Sequence, residues 1–262
     1  MHGIQIFTHS LRQVFGNLGA ALRISAVLTL VQFGLFFALG LQVVYSADGG
    51  RAMMMNGTFP FGRLALLGLI SGIISLWIAV AWHRYVLLEE TPGAVIPTWN
   101  GSRIWSYFVT GLLIFLIGLA ATIVTALLAG ALAGFGVAAM GMARPGGHGI
   151  AGGVAGSVVG VATMLYIFFR YSPALPASAL GKPLGLSAAW RTMAGKGGTL
   201  IMLTIVSTLF SVAIIFVPAQ VFGPGSIIGL VIGLIAQWIN LMVGISVITT
   251  LYGHYVERRA LV

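Results

Sequence analysis

Four acidic side chains (Asp48, Glu89, Glu90 and Glu257) and five histidines (His2, His9, His83, His148 and His254) are all this chain offers for acid–base work or hard-metal ligation. There is no cysteine, so disulfides, thiolate nucleophiles and thiolate metal sites are excluded. Adjacent carboxylates such as Glu89 and Glu90 do not face each other across a cleft, as a hydrolytic pair must. Their neighbours Arg84 and Arg103 make an ion pair at a surface the simpler expectation. No histidine stands at ligand spacing from another or from an acid, so no metal site is expected. The hydroxyl residues lack a G-x-S-x-G elbow and an oriented base, so no nucleophile is expected. Gly147, Gly149 and Gly152 fit G-x-G-x-x-G, but no acid follows within reach; a turn is expected there, with no nucleotide. Met53, Met54 and Met55 are soft ligands suited to Cu(I), yet consecutive positions do not converge on one ion. Asn56-Gly57-Thr58 fits a glycosylation sequon, which means little without a secretory context. The expectation is a non-enzymatic chain with no catalytic residue, metal or cofactor.

The composition explains this poverty. Apolar residues make up 59% of the 262 and charged residues 6%, against about 25% charged in soluble domains. Such a chain cannot cover itself with a water-facing surface, but a lipid-facing one needs no charge. A net charge of +9 would suggest nucleic acid in a soluble protein. Here the cations sit in short connections between long apolar runs, so the expected partners are membrane lipids, anionic ones above all, with a membrane protein partner as a further candidate and no nucleic acid. Residues 4–22 carry polar groups at regular intervals, unlike a cleaved signal peptide, and no lipidation box is present.

Six stretches are long and apolar enough to span a bilayer: 22–45, 64–87, 107–132, 150–170, 199–219 and 226–250. The expected fold is an all-α integral membrane protein of six transmembrane helices in one domain, residues 1–262. The third apolar run continues to Met142, which leaves a long tilted helix or a re-entrant turn open. Trp82, Tyr107, Tyr171 and Tyr252 lie near span ends, where interfacial anchoring is expected. No Asp or Glu falls inside a span, which disfavours proton coupling through membrane carboxylates. The amides Gln32, Gln42, Gln237 and Asn240 do fall inside and are expected to bond between helices. Small-residue spacings at Gly68/Gly72, Gly130/Gly134, Gly152/Gly156/Gly160 and Gly225/Gly229/Gly233 predict close helix packing, within the chain or in a dimer.

Ten basic residues (Arg12, Arg23, Arg84, Arg103, Arg170, Lys182, Arg191, Lys196, Arg258 and Arg259) fall on one side of this topology, and Arg51, Arg63 and Arg144 on the other. The positive-inside rule then predicts cytoplasmic termini. The offsets also suggest three repeats, 4–87, 99–171 and 186–257, each a hairpin preceded by an interfacial amphipathic helix. Arg12, Arg103 and Arg191 are separated by 91 and 88 residues, while Arg84, Arg170 and His254 are separated by 86 and 84. The matching residues are few, so the sequence leaves open whether the repeat is real and whether it is more than structural. Residues 4–22 read best as an interfacial helix, with Ile4, Phe7, Leu11, Val14, Phe15 and Leu18 at helical spacing.

The run Trp82-His83-Arg84-Tyr85-Val86-Leu87-Leu88-Glu89-Glu90, then Arg170-Tyr171 through Leu175-Pro176-Ala177, then Ala189-Trp190-Arg191, resembles a family of uncharacterised multi-pass inner-membrane proteins common in alphaproteobacteria. The chain is distantly similar to the YciC-like proteins and to the membrane region of some glycerophosphodiester phosphodiesterases, whose soluble catalytic domain has no counterpart here. The resemblance implies the bacterial inner membrane and little about mechanism, and the phosphodiesterase activity is not carried over. His83, Arg84, Glu89, Glu90, Arg103, Arg170, Arg191 and His254 form the candidate lipid-headgroup or functional cluster. Three functions follow in order of preference: an inner-membrane scaffold, assembly or regulatory protein; a transporter or channel for a small molecule or lipid; and a lipid-acting membrane enzyme. A polar cavity across the membrane would favour the second. Convergence of His83, Glu89, Glu90 and Arg170 on a lipid-sized groove would favour the third.

Overall fold

The computed structural model describes residues 2–41, 49–93, 95–139, 147–222 and 226–261, and the side chains of all of these except 49, 51, 147–149 and 218–220. Gln42, Tyr45, Asp48, Met142, Arg144 and Gly225 lie outside the described residues, as do the side chains of Arg51 and His148. The described residues hold no strand. Their helices are α1 (His2–Phe15), α2 (Leu18–Ala38), α3 (Gly49–Met55), α4 (Phe61–Leu88), α5 (Gly101–Ala139), α6 (Gly147–Tyr171), α7 (Ala174–Leu180), α8 (Leu186–Thr192), α9 (Gly197–Phe222) and α10 (Ile227–Tyr255). Six of them, α2, α4, α5, α6, α9 and α10, are long and apolar enough to cross a membrane. The protein is an all-α, multi-pass membrane protein.

The third apolar run is one uninterrupted helix of 39 residues. At 1.5 Å per residue it extends about 58 Å, far beyond a hydrocarbon core of about 30 Å. It contains no proline, and Asn100 starts it by accepting from the backbone N–H groups of Arg103 and Ile104. Arg103 therefore belongs to the first turn of a spanning helix, while α1 and α8 are separate short helices before their hairpins. The chain thus forms three hairpins, α2–α4, α5–α6 and α9–α10, that differ in how they begin. α6 ends at Tyr171, and Pro173 caps α7, a short buried helix that contains Pro176 and is closed by Gly181 in the left-handed region, φ 77°.

Burial is concentrated at one end, the one holding both chain termini. The buried residues at this end include Ala21–Thr29 positions of α2, Ile74–Leu87 positions of α4, Ile104 to Gly118 of α5, all of α7, Leu200 and Leu203 of α9, and most of Met242–Gly253 in α10. Here α1 packs on α9 and α10 through Ile6, Phe7 and Val14, leaving Ile4 and Phe15 exposed for the membrane interface. Gly3 permits this approach, since a Cβ there would stand 2.8 Å from the Thr199 carbonyl oxygen. Toward the other end, Leu66, Leu69, Leu132, Phe135, Phe216, Val217 and Ile227 are exposed. Lipid is as good a solvent for these side chains as protein is, so apolarity alone draws no helices together there.

The α5–α6 hairpin is the exception, in continuous contact along much of its length. A Cβ at Gly156 would meet the Ala126 carbonyl oxygen at 2.8 Å, and one at Gly152 the Gly130 carbonyl oxygen at 2.7 Å. The Thr125 and Thr163 hydroxyl oxygens lie 3.0 Å apart across the same seam. Gly68, Gly72 and Gly233, by contrast, have nothing within 4 Å of where a side chain would begin. The same spacing packs one hairpin and leaves other helices uncovered.

Candidate functional site

One cluster of buried polar groups sits where α1, α4, α5 and α10 converge. Trp82 and His83 are consecutive in α4 and fully buried. Two ring donors in adjacent positions of an apolar helix must find acceptors on a neighbour, and α10 supplies them one turn apart. The Trp82 Nε1–H donates to Ser246 at 2.8 Å. His83 Nδ1 lies 2.8 Å from the Thr249 hydroxyl, which itself donates to the Ile245 carbonyl. Thr249 has thus spent its proton, so Nδ1–H is the donor and His83 Nε2 accepts from the Tyr107 hydroxyl at 3.2 Å. Ser10 of α1 stands 3.0 Å from the Thr250 hydroxyl. The expected anchoring role of Trp82, Tyr107 and Tyr252 is corrected: all three are buried in the protein. The protein itself satisfies the indole N–H and the Tyr107 hydroxyl, which removes the need for water at these positions.

Arg84 points elsewhere. Its Nε–H donates to Glu90 Oε2 at 2.8 Å, Nη2 pairs with the other carboxylate oxygen, and Nη1 donates to the Ala179 carbonyl at 3.1 Å. The expected ion pair is present and selects Glu90. Glu89 ends α4 in the left-handed region, φ 56°. Beside them Arg259 donates from Nη2 to the Leu87 carbonyl at 2.7 Å and from Nη1 to the Val86 carbonyl at 3.3 Å, capping α4, while Glu257 accepts from its Nε–H. That cap was not legible in the sequence, where Arg259 reads only as one more topology charge. Glu90 is half exposed, at 46%, so its pair with Arg84 is worth about 0.2–1 kcal/mol. Glu90→Gln is therefore expected to lower stability by no more than about 1 kcal/mol in denaturant unfolding; a loss of several would show that the pair is a keystone.

Arg170 forms a third centre. Its guanidinium lies over the Trp190 ring, Cζ 3.9 Å from the centroid, and its Nη1 donates to the Tyr166 hydroxyl at 3.2 Å. Arg191 is exposed beside Trp190. The Arg103 guanidinium fills the space where a Gly181 side chain would begin, at the carbonyl end of α7. His254 Nδ1 lies 3.0 Å from the Arg259 carbonyl. The eight candidate residues are thus divided: Arg84 with Glu90, Glu89 at the end of α4, His83 inside the core, Arg103 against Gly181, Arg170 on Trp190, Arg191 exposed, and His254 against the C-terminal tail. No hydrogen bond or ion pair among the described residues joins His83, Glu89, Glu90 and Arg170. No linear signal marks the Arg170–Trp190 stack, whose members are twenty residues apart on different helices.

Among the amides, Gln32 donates to the Ser71 carbonyl at 3.1 Å, joining α2 to α4, and Asn240 accepts from Ser211 at 2.7 Å, joining α9 to α10. Both act between helices, as expected. Gln237 instead lies exposed on α10. Among the described residues, no group of three or more His, Asp or Glu side chains is placed to hold a metal ion. Comparison with protein-family models, with curated proteins and with solved structures finds no match.

Proposed function

We propose that this chain is a non-enzymatic scaffold or assembly protein of the bacterial inner membrane, with both termini cytoplasmic and its flanks open to helices of a partner protein. The observation that carries this reading is the outward face of α10. Gly233, Gln237 and Gly244 share that face, and neither glycine has anything within 4 Å of its missing side chain. Trp238, one residue on, turns toward Ser25 of α2, and Asn240 toward Ser211 of α9; Gln237 lies between them around the helix and is exposed. Gln237 lies about 15 Å along α10 from Ile227, near the middle of a hydrocarbon core. An amide there has no water to bond and costs free energy until another polar group meets it. Two flanking glycines let a neighbouring backbone come close enough to do so.

The ten basic residues on one side support the orientation, and the resemblance supports the membrane. The knot of hydrogen bonds among α1, α4, α5 and α10 supports a static role, because it ties the helices of different hairpins together at one end. The test is a photoreactive residue at Leu230, two turns from Gln237 on the same face, in native membranes, with mass spectrometry of what it captures. One defined membrane protein is expected, and Gln237→Leu should lower its capture about threefold, from the loss of one interhelical hydrogen bond of about 0.6 kcal/mol. Capture of lipid alone, unchanged by Gln237→Leu, would sink the proposal. A co-purifying small molecule that binds saturably would replace it with transport.

A further inference from the structure

We propose that the end of α6, with α8 and the first turn of α9, seats the phosphate of an anionic membrane lipid. This inference is independent of the scaffold reading and rests on other residues. Arg170 has no carboxylate partner: the ion pairs among the described residues are Arg84–Glu90 and Arg259–Glu257. Its Nε is shielded from solvent and has no acceptor. Stacking on Trp190 and the bond from Nη1 to Tyr166 hold the guanidinium in place, and Nη2 has no hydrogen-bond partner among the described residues. The Tyr166 oxygen accepts from Arg170, so its own O–H proton remains to be donated.

That hydroxyl also marks the start of α9, lying 3.7 Å from where a Gly197 side chain would begin. The first-turn N–H groups of Gly197, Gly198 and Thr199 have no acceptor among the described residues, and Gly198 has open space where a side chain would be. Lys196 precedes them, exposed, and no acid lies between Arg170 and Glu257 in the chain. A guanidinium, a phenolic O–H and unpaired N–H groups lie together at the positive end of a long helix, and no ion pair among the described residues joins an acid to them. An oxyanion with several acceptor oxygens fits this set. Arg170 is the penultimate residue of α6, which puts the seat at headgroup depth, where phosphodiesters are concentrated.

The test uses the full chain in nanodiscs of phosphatidylcholine, with or without phosphatidylglycerol, released into the gas phase so that retained lipids are weighed. The wild type is expected to keep phosphatidylglycerol in preference to phosphatidylcholine. Arg170→Gln should reduce that retention about tenfold or more, as loss of a charged hydrogen-bond donor does. Tyr166→Phe, which keeps the ring and removes only the hydroxyl, should reduce it about threefold or more and decides the matter if the arginine variant does not fold. Arg63→Gln, at the opposite end of the bundle, should change nothing. Equal retention of both lipids, or retention unaffected by both site variants, would overturn the proposal. Displacement of the lipid by inorganic phosphate at comparable concentration would overturn the lipid as the source and assign the seat to a soluble phosphate.

Discussion

Replacing Trp82 by alanine is expected to destabilise the protein by about 3–5 kcal/mol, the range for deleting a large buried ring. Trp82 is wholly enclosed at the junction of α4 with α10. Its removal leaves a cavity that lipid cannot reach, and it strips the Ser246 hydroxyl of its donor. Trp82→Phe separates the two losses. It retains most of the ring and gives up only the N–H, and hydrogen bonds between membrane helices average about 0.6 kcal/mol. Denaturant unfolding of both variants in one detergent gives the comparison. A large loss for alanine and a small one for phenylalanine would mean that packing holds this end together and the hydrogen bonds set its register. If alanine cost under about 1 kcal/mol, the close packing described for this end would be wrong. The effect should be global, because α4 here also touches α5, through His83 and Tyr107, and α7, through Arg84 and Ala179.

The second large effect belongs to the α5–α6 seam. Gly156→Ile should force the two helices apart, since even its first carbon would stand 2.8 Å from a backbone oxygen that cannot rotate away. Overpacking of this kind typically costs about 1–3 kcal/mol, and a β-branched residue against backbone belongs at the upper end. The cysteine-free chain offers a direct readout. Thr125→Cys with Thr163→Cys replaces two hydroxyls that lie 3.0 Å apart, so a disulfide should form readily on mild oxidation. Adding Gly156→Ile should abolish most of it. Gly72→Ile, the same chemical change at a site with nothing within 4 Å, should leave it intact. Equal disulfide yield in both backgrounds would mean that the hairpin is not close-packed at Gly156.

The contrast between Gly156 and Gly72 shows where legibility stopped. Both sit in small-residue spacings, and spacing alone ranks them equally. The difference arises because α6 faces α5 along its small residues, whereas the Gly68/Gly72 side of α4 turns away from α2. Likewise Glu89 and Glu90 were equal candidates for Arg84 until the left-handed turn at Glu89 ended α4 and brought Glu90 back onto the guanidinium. His83 and His254 end on different partners.

What the sequence determined by itself was the solvent and the number of crossings. Hydropathy is additive along a segment: a run such as 64–87 is too apolar to lie anywhere but in lipid, and the observed α4, Phe61–Leu88, differs from it by a turn or less at each end. The positions of the glycines, prolines and arginines bounded those runs in the same local way. The facing of each helix was decided only by the tertiary structure. A membrane helix is apolar on every side, so no amphipathic stripe distinguishes the side toward protein from the side toward lipid. Only the neighbours, meeting at Trp82, His83, Tyr107 and Arg170, settled that choice.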